Sequence, residues 1–409
     1  MHSDELELRR ERLLRILSGA TFLIFFQAYM IAPMLPKLAA VFGVSLQMIA
    51  LTVPAYLIPY GISTLFYGLL SDRIGRRRIV LASLFAFALL TGLAATSRSA
   101  SQLIAWRLLT GIGASGVVPL ALALIGVLFP YEKRGRPLGW LFGAMAGGMA
   151  FGSTFGVLLE PLLSWRGLFI AVSGFGLVAL VLMWRYAGML GEAPPVTTIS
   201  MRDVLAGYKA LLADARGART YVYVFLNSIF HSGVFTWLGV YLSRRYGLGE
   251  VGIGLALLGY GVPGFLLGPA IGSAADRWGR RWLVPSGLAL AALAAGALIL
   301  ELPLVAAALA FTVLSLGYDM TQPLFAGIVT SLNPKRAGQA MGLNVFALFT
   351  GFGIGSYLFG EALRWGFSSA LAGFASVQVA AALAAILFFR SELRRAEQSV
   401  SPASEASQG

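Results

Sequence analysis

The segment Leu316-Gly317-Tyr318-Asp319-Met320-Thr321-Gln322-Pro323 places one carboxylate, Asp319, inside a long apolar run. An ionisable side chain at bilayer depth is costly to keep, and where one occurs it commonly marks a substrate path or a proton relay. Asp319 is therefore read as a group that binds and releases a proton. His231 follows Asn227 by four positions, so the two share a helix face. Its imidazole could relay protons with Asp319 or bind substrate. Arg107 is the only Lys or Arg well inside an apolar run. Each of the three also has a structural reading: a hydrogen-bonded acid, a packed histidine and a helix-locking arginine.

Around these groups, Phe25, Phe26, Tyr29, Trp237 and Tyr318 could wall a cavity for an apolar or aromatic compound. Gln27, Ser115, Asn227 and Gln322 are the polar candidates for the same cavity. Glu160, Glu301 and Glu361 fall at the ends of apolar runs and read as solvated or gating residues. The chain has no cysteine and two histidines, which argues against a disulfide framework, a thiol metal site or a zinc cluster. No cofactor is expected. No nucleophile–base pair points to an enzyme, and no G-x-x-x-x-G-K-[ST] loop points to an ATP-driven pump.

The elements that must position these residues are membrane helices. The chain is 58% hydrophobic and 12% charged, against about 25% charged in soluble proteins. Twelve apolar runs are near the roughly 20 residues that a spanning helix needs: 16–36, 47–70, 79–96, 102–126, 138–160, 167–187, 220–243, 250–272, 282–300, 304–330, 338–361 and 368–390. With the N-terminus cytoplasmic, 24 of the 31 Lys and Arg fall in the tails and cytoplasmic loops. Lys37, Arg98, Arg166, Arg244, Arg245 and Arg364 fall on the other side. This bias puts both termini in the cytoplasm of a bacterial-type inner membrane. It also assigns the net charge of +13 to lipid headgroups and not to nucleic acid. Arg9, Arg10, Arg12 and Arg15 precede an apolar run without a small-residue cleavage site, so no cleavable signal is expected.

The longest internal break, 189–219, opens on Gly191-Glu192-Ala193-Pro194-Pro195. Ser200 and Asp203 then precede Val204, Leu205, Tyr208, Leu211 and Leu212, a spacing that predicts a short amphipathic helix on the membrane surface. The expected organisation is a six-helix bundle over 1–188, this linker, a second bundle over 220–390 and a tail over 391–409. The halves repeat. Gly68-Leu69-Leu70-Ser71-Asp72-Arg73-Ile74-Gly75-Arg76-Arg77 returns as Gly272-Ser273-Ala274-Ala275-Asp276-Arg277-Trp278-Gly279-Arg280-Arg281, 204 positions on. Gly113, Pro119 and Pro130 match Gly317, Pro323 and Pro334 at the same offset. Gly135, Gly139, Gly148 and Gly152 match Gly338, Gly342, Gly351 and Gly355 at 203. Ordered matches of this kind mark a duplication.

The Gly68–Arg77 loop and its echo, together with Arg107-Leu108-Leu109-Thr110-Gly111-Ile112-Gly113, resemble motifs of the major facilitator superfamily. Gly139, Gly148, Gly152 and Gly156 are similar to the glycine pattern of its drug:proton antiporters. Gly152-Ser153 stands where that pattern has Gly-Pro, and Gly156-Val157 where it has a double glycine. The resemblance implies an all-α fold of two six-helix bundles that rock about a central cavity lined by spans 1, 4, 7 and 10. It implies that Arg107 meets span 1, where Gln27 is nearest in depth. It also implies a cytoplasmic gate of Gly68, Asp72, Arg73, Gly75, Arg76, Asp276, Arg277 and Arg280. In that gate Asp72 would face the start of span 11 near Gly338, and Asp276 would face span 5 near Pro137. The expected function is proton-coupled efflux of a small organic compound, with a monomer as the working unit. Proton-coupled or facilitated uptake of a metabolite is the alternative, and a non-transporting membrane receptor is the reading of another class.

Overall fold

The computed structural model describes residues 2–129, 135–190, 201–264, 266–267, 270–271, 274, 279–333 and 337–392. These residues form helices and connecting turns. The first half contains α1 (His2–Tyr29), α2 (Leu35–Phe42), α3 (Leu46–Ala50), α4 (Pro54–Ile74), α5 (Arg76–Ala94), α6 (Ala100–Ala114), α7 (Val117–Leu128), α8 (Gly135–Leu158) and α9 (Glu160–Arg185). After the linker helix α10 (Met201–Ala213) come α11 (Ala215–Tyr246), α12 (Glu250–Ala256), α13 (Arg280–Ala297), α14 (Leu304–Leu332), α15 (Ala337–Ala362) and α16 (Phe367–Phe388).

Among the described residues, nine helical segments are long and apolar enough to cross a membrane. In lipid, helices satisfy their own backbone groups, so no strand is needed or found among the described residues. Local sequence sets the ends. Ser45, Ser99 and Asp214 accept from the amides of Met48, Gln102 and Gly217, and Gly43 and Gly247 close α2 and α11 in the left-handed conformation. Several predicted spans differ in detail. The first begins earlier, since α1 runs from His2, and it ends in a 3-10 turn and α2. The fourth breaks at Ser115-Gly116, between α6 and α7.

The duplication is visible in packing. A Cβ on Gly148 or Gly152 of α8 would lie 2.6 Å from Phe22 O or 2.5 Å from Phe26 O of α1. A Cβ on Gly351 or Gly355 of α15 would lie 2.7 Å from Phe225 O or 2.1 Å from Ile229 O of α11. Each pair of carbonyls also repeats at offset 203, so the same helix contact has been built twice. The loop glycines repeat for a different reason: Gly75 and Gly279 have φ of 94° and 74°, which side chains with a Cβ rarely adopt. The antiporter-like glycines thus have a packing role that does not depend on coupling. Gly152→Ala and Gly355→Ala should each destabilise the folded protein by about 1–3 kcal/mol through overpacking, measured by denaturant unfolding in detergent. A neutral effect at both sites would mean that the helices separate freely.

The linker helix differs from expectation in its surroundings. It packs on the protein: Tyr208 donates to Leu65 O of α4 at 3.3 Å, and Gln339 of α15 donates to Val204 O at 2.7 Å. Gly207 and Leu211 are buried while Leu205 and Leu212 stay exposed, so its apolar residues divide between protein and surroundings. The helix therefore bridges α4 and α15 at the end of the molecule that carries both termini.

At that end, the segment after α16 folds back through Glu392, which is 3% exposed. Its carboxylate takes two 2.7 Å bonds from Arg216 and pairs with Arg219, and its carbonyl accepts from the amides of Arg280 and Arg281. Burial pushes the Glu392 carboxyl up. The Arg216 hydrogen bonds and the charges of Arg216, Arg219 and Arg280 outweigh burial and hold it below the usual range. A carboxyl lowered in the folded state contributes stability above its unfolded value of about 4.3, and this is lost as pH falls through the folded value. Glu392→Gln should therefore destabilise the protein at pH 7, and the difference from wild type should shrink below about pH 4. Parallel pH-stability curves for the two proteins would refute this.

Candidate functional site

The two halves close on each other at the end opposite the termini. Lys37 of α2 lies 3.2 Å from Glu250 of α12 and 3.8 Å from Glu160 of α9. Glu160 is 4% exposed and paired with Lys37, so it is not solvated. Deeper in, Gly239 of α11 backs onto Pro33, Gly254 of α12 onto Leu158, and Thr154 of α8 donates to Leu257 O at 3.3 Å. Near the middle the seam is aromatic. Tyr60 stacks on Phe349 at 4.2 Å, and Tyr29 of α1 meets Phe235 and Phe352 of the other half. The hydroxyls of Tyr29, Tyr56 and Tyr60 and the amide nitrogen of Gln27 are buried there without a hydrogen-bond partner among the described residues.

Asp319 sits on α14, half-buried, against a helix that breaks. After α12 ends at Ala256, the chain turns through 257–261, Gly261 takes φ +80°, and the helix resumes at 262–264. Pro263 and the left-handed Gly261 fit such a break, and the first turn after it leaves amides free. Gly261 N–H donates to Ser315 Oγ at 2.8 Å, Ser315 donates to Asp319 Oδ2 at 3.0 Å, and the Gly264 backbone bonds the same carboxylate. A Cβ on Gly264 would be 2.6 Å from Asp319 Cγ, so only glycine lets the backbone come this close. The charge of Asp319 reaches the phenols of Tyr29, Tyr260 and Tyr318.

His231 of α11 does not hydrogen-bond Asp319. It stacks on Tyr318 at 3.7 Å, and its ring nitrogens lie 3.0 and 3.2 Å from the Tyr260 hydroxyl. It thus touches two of the phenols around the acid. Asn227 shares its helix but serves packing: Gln378 donates to its oxygen and it donates to Thr321 Oγ1, both at 2.8 Å. Gln322 is half-buried, and its amide nitrogen has no hydrogen-bond partner among the described residues.

In the other half, Arg107 of α6 is fully buried. It donates to Gln27 Oε1 at 2.8 Å, to the carbonyls of Thr52 and Gln27 at 3.1 Å and to that of Ala28 at 3.2 Å. Its guanidinium also lies 4.3 Å above the Tyr56 ring. The planar five-donor fork suits carbonyls that diverge in this way. Ser115 donates to Ile112 O within its own helix region. Phe26 is half-buried beside Gly152, and Trp237 donates to Ser356 O at 3.0 Å. Trp237 lines a separate cleft of about 250 Å³ between the halves, with Gln47, Leu51, Pro54 and Glu361.

Of the loop residues, Arg73 is exposed, Arg76 half-buried, and the Arg280 guanidinium lies against Gly327. Asp276 and Arg277 lie outside the described residues, as does the side chain of Asp72, and Gly68 is described only as part of α4. Sequence reasoning missed Ser315, Gly261, Gly264, Tyr260, Tyr60, Phe349, Lys37 and Glu392. The Gly-Val-Pro-Gly run at 261–264 was the available signal for Gly261 and Gly264.

Paired helical halves, sealed at one end, with polar groups at membrane depth on either side of the seam, define a membrane transport protein. The chain belongs to the Major Facilitator Superfamily, whose family model matches residues 17–356 and again 225–407. It is 26% identical over 346 residues to the uncharacterized MFS-type transporter YceJ of Bacillus subtilis (strain 168), covering 83% of this chain and 86% of that one. Its fold is that of the human organic anion transporter MFSD10 (TM-score 0.70, 18% identity, 92% and 99% of the two chains). It is also that of a bacterial homologue of the human lysosomal transporter Spinster in its inward-facing, unoccupied conformation (TM-score 0.71, 18% identity, 97% and 99%). The chain is a multi-pass membrane transporter and not an enzyme.

Proposed function

We propose that this transporter exports a small organic compound in exchange for protons, by alternating access. The observation that carries the reading is Asp319: a half-buried carboxylate at membrane depth, on the seam side of α14, beside three phenols. Rings from both halves, and buried donors on Tyr29, Tyr60 and Gln27, suit an aromatic compound carrying hydrogen-bond acceptors. The α8 glycine pattern, Gly148, Gly152 and Gly156, supports export. The terminal face is taken as cytoplasmic from the distribution of Lys and Arg, and the Lys37–Glu250 pair then closes the outer side. The loop residues Asp72, Arg73, Arg76, Asp276, Arg277 and Arg280 are assigned to the gate on the cytoplasmic side.

Purified protein in proteoliposomes tests this, with an imposed pH gradient of either sign and a panel of cationic, neutral and anionic aromatic compounds. Compound should move opposite to the proton flow. Movement along with protons would replace export by uptake, and no flux for any compound in either gradient would overturn the reading.

A further inference from the structure

The two halves hold helix breaks at neighbouring positions of the repeat, with different charges packed on them. In the first half, α3 ends at Ala50, the chain turns at 51–53, and α4 follows with Pro59 inside it. In the second, α12 ends at Ala256, the chain turns at 257–261, and Pro263 follows. At the repeat offset of 204, Tyr56 corresponds to Tyr260 and Pro59 to Pro263. The helix packed on each break also corresponds. A Cβ on Gly111 would lie 2.2 Å from Tyr56 O, and its counterpart Ser315 accepts from Gly261 N–H. What differs is the clamp. The first break is held by Arg107, through Thr52 O and the Tyr56 ring. Its counterpart Phe311 is a fully buried core residue. The second break is held by Asp319, through Ser315 and the Gly264 backbone, and its counterpart Ser115 is an uncharged hydroxyl that bonds Ile112 O and Tyr67.

A guanidinium stays charged throughout the working pH range, whereas a carboxylate can take up a proton. We propose that Asp319, Ser315 and the backbone of Gly261 and Gly264 form one proton-binding site that releases the 257–264 break when protonated, while Arg107 keeps the matching break fixed. The inference rests on the proton-coupled reading and assigns its moving part. Proton uptake turns the Asp319 carboxylate into a neutral acid. The Gly264 bond then loses its charge-assisted character, which makes such bonds about twice as strong as neutral ones. Ser315, which now donates to Oδ2, is left donating to a neutral carbonyl oxygen or turns to accept from the new O–H, and either bond is weaker than the one to the carboxylate. The groups facing Asp319 are Ser315 and Tyr318 on its own helix, Tyr260 on the broken segment and Tyr29 on α1. His231 lies behind Tyr260 and Tyr318. No second charge among these groups would oppose the change. Ser315, Gly261 and Gly264 are positioning residues, since they act on the proton site and not on the compound.

The absence of cysteine makes the test clean. Spin labels on cysteines introduced at the exposed positions Val251, in α12 ahead of the break, and Leu162, on the other half, report the separation of α12 from α9 in lipid nanodiscs. Between pH 8 and pH 5 the population of separated molecules should change by about tenfold. Asp319→Asn should remove the pH dependence. Ser315→Ala, which removes a donor to the carboxylate, should move the transition by about one pH unit to higher pH. Ser315→Thr, which keeps the hydroxyl, should restore it. A wild-type separation that is the same at both pH values, an Asp319→Asn protein that keeps the wild-type pH response, or a Ser315→Ala transition at the wild-type pH would overturn the proposal. Proton-driven flux with a pH-insensitive separation would sink the clamp and leave the transport reading intact. A pH-sensitive separation without any flux would do the reverse.

Discussion

Asp319→Asn protein is expected to fold, to bind compound, and to lose gradient-driven accumulation down to the level of protein-free liposomes. The amide is nearly isosteric with the acid. Its oxygen can still accept from Ser315 or from the Gly264 backbone, so part of what holds the broken segment against α14 survives in neutral form. Folding stability should therefore change by no more than about 1 kcal/mol. What the amide cannot do is change charge. If Asp319 is the exchanging group, each cycle loses its proton step, and the transporter becomes a carrier that equilibrates compound without concentrating it. Two measurements separate this from a damaged protein: downhill counterflow of labelled compound, which should persist, and uphill movement under a pH gradient, which should vanish. Retention of full uphill transport in the variant would remove Asp319 from the coupling machinery and return it to the role of a hydrogen-bonded structural acid.

That ambiguity shows where sequence reasoning stops. Asp319 was legible because a lone acid in an apolar run is costly, and the repeat marked it as unmatched by Ser115. The fold was legible for a similar reason: glycines that must approach a backbone recur at an offset of 203, and the positive-φ pair Gly75 and Gly279 at 204. The partners of Asp319 were not legible. Ser315 lies one turn away on the same helix, but the groups that make it a site come from a break 54 residues earlier in the chain, Gly261 against Ser315. Periodicity reads the face of a helix and not the neighbour it meets. His231 shows the converse. Its depth and helix face suggested contact with Asp319, yet its ring is occupied by Tyr318 and Tyr260. Glu392 was read as tail because an acid after the last apolar run ordinarily belongs to solvent, and only folding brings Arg216 and Arg219 to it.

Arg107→Lys is expected to be poorly tolerated despite keeping the charge, with a loss of about 2–4 kcal/mol in folding stability. Four bonds radiate from one guanidinium to two elements: three to Gln27 and Ala28 of α1 and one to Thr52 at the turn before α4. A lysine ammonium has three donors at a single point and cannot span both elements at once. It would leave at least one buried carbonyl without a donor and give up the planar contact over Tyr56. Arg107→Ala should cost more, because all four acceptor bonds are lost in a fully buried setting. The clamp reading separates from a coupling role through the molecules that remain folded. Flux per folded Arg107→Lys molecule should keep the wild-type pH profile, because a fixed clamp carries no proton. A variant of wild-type stability whose pH profile has moved would mean the opposite: Arg107 would then belong to the proton path, and the two breaks would both be switchable.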